Sequence, residues 1–250
     1  MNSTNRYSDY DNRTDVYDEE LSLDSYEVVV DQLDKLLLQN LPERAHIFDI
    51  CCGTGQVAQR LLKKGYRVTG LDGSDKMLHY ARKNASGAEF ILDDARYFKL
   101  PSTFDAVIST NRSLSHVMNL AELKKVFYNV YIALLKNGIF LFDLYIEEDD
   151  KSMISGGSSS QISEKIVTID SWNYNSKNKL GKGSVVNFQL ISKNWQRSDW
   201  NYSFRAYLYT EIQQTLEEIG FTQVSICYVG RDLGVDIGKE SDWGCVICRK

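Results

Sequence analysis

The stretch that most restricts what this chain can fold into is Asp49-Ile50-Cys51-Cys52-Gly53-Thr54-Gly55. It closes an apolar run, His46 to Ile50, and opens a helical pattern, Gln56 to Lys64, that ends at Gly65. A glycine turn between a buried strand and a helix brings unpaired helix amides to one point, where a ligand can meet them. Gly53 and Gly55 permit conformations and close approaches that a Cβ forbids.

The same alternation continues along the chain. Arg67 to Leu71 reads as a strand and Ser74 to Asn84 as a helix, with Ser74 as N-cap and Asp75 well placed against the helix dipole. Glu89 to Leu92 and Asp105 to Ser109 are further short strands. Leu120 to Leu135 has helical spacing, with Leu123, Val126, Phe127, Val130 and Leu134 inward and a stop at Lys136-Asn137-Gly138. Ile139 to Leu144 is a strongly apolar strand, and a helix from Asp24 to Asn40 precedes the whole series. Strand and helix in turn predict an α/β fold: a doubly wound, mostly parallel sheet with helices on both faces.

After residue 150 the pattern changes. Ser152 to Ser160 reads as a Gly/Ser loop, followed by three β-like runs, Glu164 to Asn173, Ser184 to Lys193 and Arg197 to Leu208. These have too few large apolar groups for a core of their own, so they predict an antiparallel β insertion. Helix Thr210 to Ile219 and strands Phe221 to Tyr228 and Asp242 to Cys248 return to the main sheet. The expected organisation is a lid and helix (1–40), a ligand-binding core (41–150), the insertion (151–208) and closing elements (209–250).

Composition narrows the partners. Lys and Arg number 29 against 34 acidic residues, net −5, with no basic cluster, so a grip on nucleic acid is not expected. No apolar run approaches a membrane span, and Met1 to Asp24 is polar and acidic, unlike a signal or transit peptide. A cytoplasmic location follows as an expectation. The five cysteines are odd in number, and Cys51 and Cys52 are adjacent, which fits reduced thiols. Cys245 and Cys248 form a CxxC, but no second pair accompanies it, so strand packing is preferred and no metal is expected.

Two acidic positions extend the glycine turn. Asp72, nineteen residues beyond Gly53, ends the second strand, where a carboxylate can accept both hydroxyls of a ribose. Asp93-Asp94-Ala95-Arg96 follows the third strand, where a carboxylate can take the amine of an adenine. Residues 53–58 also fit the GxGxxA form of a dinucleotide fingerprint. Against that stands Asp49, which suits an amino-bearing ligand and sits badly beside a pyrophosphate. No Lys or Arg follows the turn before Arg60. An NAD(P)-dependent oxidoreductase therefore remains only as an alternative, and helix capping is the plainer role open to each Asp.

FDICCGTG (48–55), VTGLDGSDKML (68–78), DDAR (93–96), FDAVIST (104–110) and LLKNGIFLFDL (134–144), in this order, resemble the class I S-adenosylmethionine-dependent methyltransferases. The resemblance covers roughly Tyr17 to Lys250. It implies a Rossmann-like, seven-stranded sheet whose last strand is antiparallel, and S-adenosylmethionine as cofactor. By resemblance Asp49 lies near the methionine amine, Gly53 and Gly55 are close-approach glycines, Asp72 holds the ribose with Gly73 beside it, and Met77 lies against the adenine. Asp94 and Ala95 bind the adenine edge, and Thr110 neighbours the methionine part. Cys51, in the same cofactor set, stands where the family most often has glycine, and Asn137 replaces a usual proline.

The segment around Tyr17 resembles the N-terminal lid of small-molecule methyltransferases that act on amino sugars and glycine, in which this tyrosine reaches the cofactor. The insertion resembles the roof over their acceptor site, which would bring Arg205 and Tyr207 to substrate. Arg112 falls where relatives carry an acidic or small residue, and so is a candidate for an anionic acceptor group or a solvated cation. Of the three histidines, only His116 follows the fourth strand at the sheet's carboxyl edge, which makes it the candidate base, with a helix-start role as the plainer one. The expected function is methyl transfer to a small molecule, at nitrogen in preference to oxygen, with a non-catalytic cofactor-binding module as a further alternative. Nothing in the sequence sets the oligomeric state.

Overall fold

The structure, a computed structural model, describes residues 23–147, 156–234 and 244–250. Tyr17 lies outside the described residues. Helix α1 (Leu23–Leu36) leads through a 3-10 turn (Leu38–Asn40) into strand β1 (His46–Ile50), and α2 (Gln56–Lys63), β2 (Arg67–Asp72), α3 (Asp75–Asn84) and β3 (Glu89–Leu92) follow. Strand β4 (Phe104–Ser109), a 3-10 turn (Ser113–His116), α4 (Leu120–Ala133) and β5 (Leu134–Asp143) complete the first part. The second part contains β6 (Gly157–Ile162), β7 (Ile166–Asn175), β8 (Leu180–Ile191), β9 (Asn194–Arg205), α5 (Tyr209–Ile219), β10 (Thr222–Tyr228) and β11 (Gly244–Arg249).

The main sheet is seven-stranded, in the order β10-β11-β5-β4-β1-β2-β3. Strands β5 to β3 along that order pair in parallel, while β11 is antiparallel to both β5 and β10. Alternating side chains feed two cores. On β5, Phe140 and Phe142 pack with Phe48, Phe127 and Leu216 on one face, and Ile139 and Leu141 pack with Leu33, Ile47 and Leu61 on the other. Each such wholly buried Leu or Phe contributes about 2 kcal/mol of apolar burial. The doubly wound architecture is thus the one that the alternation predicts, and Ser74 caps α3 by accepting the Met77 amide.

The insertion differs in detail. It is a separate four-stranded antiparallel sheet, β6-β7-β8-β9, where three runs were expected. The extra strand, Gly157–Ile162, lies within and beyond the expected Gly/Ser loop. Every residue of it is exposed, so it carries no apolar alternation to read. Helix α4 ends at Ala133, not Leu135, because Leu134 turns inward as the first residue of β5. Asn137, also in β5, has φ +65° and donates its amide to the Lys250 carbonyl. A proline has neither that φ nor that donor, which accounts for its absence here. Among the described residues, no helix is long and apolar enough to cross a membrane.

Candidate active site

Strands β1, β2 and β4 end side by side, and the turns after them carry most of the predicted residues. Asp49 is 2 % exposed, and its Oδ2 has no hydrogen-bond partner. Burial, and then the charge of Asp72, pushes its carboxyl up to about 8. The pocket it faces is lined also by Tyr26, Cys51, Cys52, Gly53, Thr54, Thr110, Asn111 and Ser113. Thr54 Oγ1 there is a second buried polar atom without a partner. Two orphaned oxygens in one pocket suit a ligand with several N–H or O–H donors.

The turn itself is held by Asp72. Its Oδ2 accepts the Gly53 amide at 2.9 Å, and its Oδ1 accepts the Ser74 amide at 2.9 Å. Gly73 follows, with open space where a Cβ would stand. Gly55 has φ +76°, and a Cβ on it would lie 3.0 Å from Ala81 of α3. Glycine at this position therefore also serves the packing of the turn against α3. Cys51 has φ +60°, so the family's glycine position keeps its left-handed backbone although a side chain occupies it.

Beyond β3, Asp94 is chelated by Arg96, whose Nε lies 2.9 Å and 3.1 Å from its two oxygens. Asp94 also accepts the Arg96 amide, and Asp93 accepts the Asp94 amide. Ala95 is buried in the core behind them, and Met77 is likewise buried, 2 % exposed, on the first turn of α3. At the end of β4, Thr110 precedes two consecutive left-handed residues, Asn111 (φ +60°) and Arg112 (φ +55°). Asp143, at the end of β5 and buried, anchors this turn by accepting the Arg112 amide at 2.7 Å.

His116 ends that loop, and its Nδ1 lies 2.8 Å from the Ser203 carbonyl of β9. A carbonyl only accepts, so Nδ1 carries the proton and, in the neutral ring, Nε2 carries the lone pair. His46 instead bonds Thr69 within the sheet, and His79 is exposed on α3. Arg112 lies over the Tyr145 ring and Arg205 over the Tyr207 ring, both at 5.1 Å. Tyr207 is not a substrate wall: it is wholly buried in the core, and its hydroxyl donates to the Val117 carbonyl. Cys245 and Cys248 are both buried in β11, and no metal-holding cluster occurs among the described residues.

Tyr26, Asn111 and Ser113 of the lining escaped the sequence reading, as did Asp143, which anchors the turn beside it. Tyr26 shows only the helical spacing of a core residue, and Asn111 and Ser113 sit in a loop without a pattern. Asp143 was within reach, since it ends an apolar strand just as Asp49 and Asp72 do.

The family described as "Methyltransferase domain" matches residues 47–138, the segment that carries β1 to the start of β5. Residues 47–138 are thus similar to a methyltransferase domain. A Bacillus subtilis (strain 168) chain provisionally named methyltransferase YqeM is 35% identical over 140 residues, 54% of this chain and 55% of that one. The chain thus spans about half the length of that relative. The glycine/sarcosine N-methyltransferase of Parasynechococcus marenigrum (strain WH8102) is 26% identical over 193 residues, 72% of this chain and 64% of that one. The structure of the sugar N-methyltransferase KedS8 from Streptoalloteichus sp ATCC 53650 superposes with a TM-score of 0.77 at 14% identity, over 100% of this chain and 98% of that one. The seven-stranded sheet and the added antiparallel sheet thus form a Rossmann-like fold, shared with that methyltransferase structure.

Proposed function

We propose that this chain transfers a methyl group from S-adenosylmethionine to a nitrogen of a small-molecule acceptor. The observation that carries it is the buried, unpartnered oxygen of Asp49, in a pocket shared with Thr54 and Thr110. An ammonium group of the cofactor's methionine part satisfies that oxygen and draws the carboxyl back to its ionised form. A pyrophosphate there would meet a carboxylate and no cation. Asp72, already accepting two amides, has acceptor capacity left for ribose hydroxyls. Asp94 would take the adenine amine while still bonded to Arg96, the Ala95 amide would face the ring, and Met77 and Gly73 would lie close by.

When bound, S-adenosylmethionine supplies a methyl group on a sulfonium, ready for in-line displacement. The chain's own work is then to hold the acceptor in line, exclude water and leave the nucleophile with a lone pair. His116 Nε2 would receive the proton of an ammonium acceptor, a role that the tautomer set by the Ser203 carbonyl supports. The sheet of β6–β9 would roof the acceptor site, with Tyr17 as part of a lid. Arg112 and Arg205 would meet anionic groups of the acceptor. The named relatives that methylate glycine, sarcosine or a sugar nitrogen favour nitrogen over oxygen. Calorimetric titration with S-adenosylhomocysteine and with NAD tests the proposal: one site for the former and none for the latter is expected, and the reverse overturns it.

A further inference from the structure

The Cys245 and Cys248 pair that stands out in the sequence is split by the fold. Both lie on β11, and positions three apart on a strand face opposite sides of a sheet. Cys248 packs in the core with Phe140 and Phe142, while Cys245 packs with Val28, Leu36 and Val229 on the side of α1. The register supplies a different partner. Cys227 of β10 stands directly opposite Cys245, so the two sulfurs share a face, and both are thiols.

The two thiols are unequal. Cys245 is wholly buried, and Gln32 of α1 donates its side-chain amide to the sulfur. Burial, and then the charge of Asp143, pushes this thiol up, so it stays protonated. Cys227 is only partly buried and lies on β10, the outermost strand of the main sheet. Opposed Cβ atoms of an antiparallel pair stand about 4.5–5.5 Å apart, and a disulfide needs about 3.5–4.5 Å. A movement of about 1 Å closes that gap. An edge strand with a single neighbour can make it without disturbing the rest of the sheet.

We propose that Cys227 and Cys245 form a dithiol that a hydroperoxide closes to a disulfide, a modification site beside the Asp49 pocket. The Cys227 sulfur attacks the peroxide O–O bond, giving a sulfenic acid and one water. The Cys245 sulfur then displaces the sulfenic oxygen, which leaves as a second water with the Cys245 proton. Both sulfurs are oxidised, the peroxide is reduced, and one S–S bond replaces two S–H bonds. Closure reaches the pocket by two contacts. Asp143 stands opposite Cys245 on β5, and its Oδ1 holds the Arg112 amide in the turn that carries Thr110, Asn111 and Ser113. Gln32, which loses its sulfur acceptor, lies on the helix that supplies Tyr26 to the same lining. On the methyltransferase reading, the bridged chain then binds S-adenosylhomocysteine more weakly.

The test treats the folded full chain with hydrogen peroxide, alkylates the remaining thiols and maps the peptides without reduction. The intact mass should fall by two hydrogens, one link within the chain should join the Cys227 and Cys245 peptides, and dithiothreitol should undo it. Cys227→Ser should abolish the link and leave Cys245 a thiol. No link, a link between other cysteines, or Cys227 oxidised past the sulfenic acid with Cys245 untouched overturns the proposal. Calorimetry then compares the two forms: oxidation should weaken S-adenosylhomocysteine at least about fivefold in wild type and leave Cys227→Ser unchanged. A bridged chain of unchanged affinity overturns the connection to the pocket. A reduced chain that does not bind S-adenosylhomocysteine at all counts against the underlying function, while the peptide map still decides the site.

Discussion

The Asp72 carboxylate accepts the amide of Gly53, so the end of β2 and the turn after β1 are locked together before any ligand arrives. A single residue thus shapes the turn and, in the proposed function, would also present its oxygens to a ribose. Asp72→Asn exchanges one acceptor oxygen for a donor facing an amide. It should cost about 1–3 kcal/mol of stability and weaken S-adenosylhomocysteine at least about tenfold. Paired thermal melts and calorimetry check both.

Asp49 makes stability depend on pH in a definite direction. Its folded carboxyl sits at about 8 against 3.8 for the free group, so between those values the folded chain holds a proton that the unfolded chain has released. Stability therefore falls as pH rises from about 4 to about 8 and levels off above, and Asp49→Asn should flatten the slope. The same variant should be more stable than wild type at pH 8.5 yet bind S-adenosylhomocysteine about 10–100 times more weakly. Melting curves across the pH range and a titration at pH 8.5 test the opposed signs.

Cofactor binding should also release protons. An ammonium beside Asp49 favours the carboxylate, so affinity should climb toward pH 8 and then stop climbing. Titrations at pH 7 in two buffers of different ionisation enthalpy will report the release; equal apparent enthalpies would count against it.

At Cys51 the left-handed backbone costs a side chain about 1–2 kcal/mol. Cys51→Gly should raise the melting temperature, offset in part by the extra freedom of glycine in the unfolded chain, whereas Cys51→Val should lower it by about 1 kcal/mol or more. Asn137→Pro, which restores the residue usual in the resembled family, should destabilise by about 3 kcal/mol or more, because φ +65° and the bond to Lys250 are both lost. Denaturant midpoints decide each.

His116→Gln keeps a donor for the Ser203 carbonyl and removes the proposed base. It should lower kcat by about 10²-fold or more with the cofactor Kd unchanged. An unchanged kcat would leave His116 as a strut between β9 and the loop.

The doubly wound alternation and the glycine turn were legible because strict alternation and glycine spacing are local signals. Phe140 and Leu141 announce two buried faces by being adjacent and apolar. Strand β6 was illegible for the converse reason: Ser158, Ser159 and Ser160 are exposed, and only pairing with β7 makes them a strand. Tyr207 was misread because an aromatic beside Arg205 looks the same whether it faces a ligand or the core.

The chain leaves the core at Ile146 and returns at Tyr207, and these two residues are bridged as if neighbours, with Tyr207 donating to Tyr145 and its carbonyl accepting from Glu147. Everything between begins and ends at one stitch. Sheets of other length or lining can hang from that stitch without disturbing the strands below, since closing a longer excursion adds little entropy cost. If the hanging sheet lines the acceptor site and the turns below hold the cofactor, as proposed, grafts cut at 146 and 207 should transplant selectivity between chains and leave cofactor binding intact.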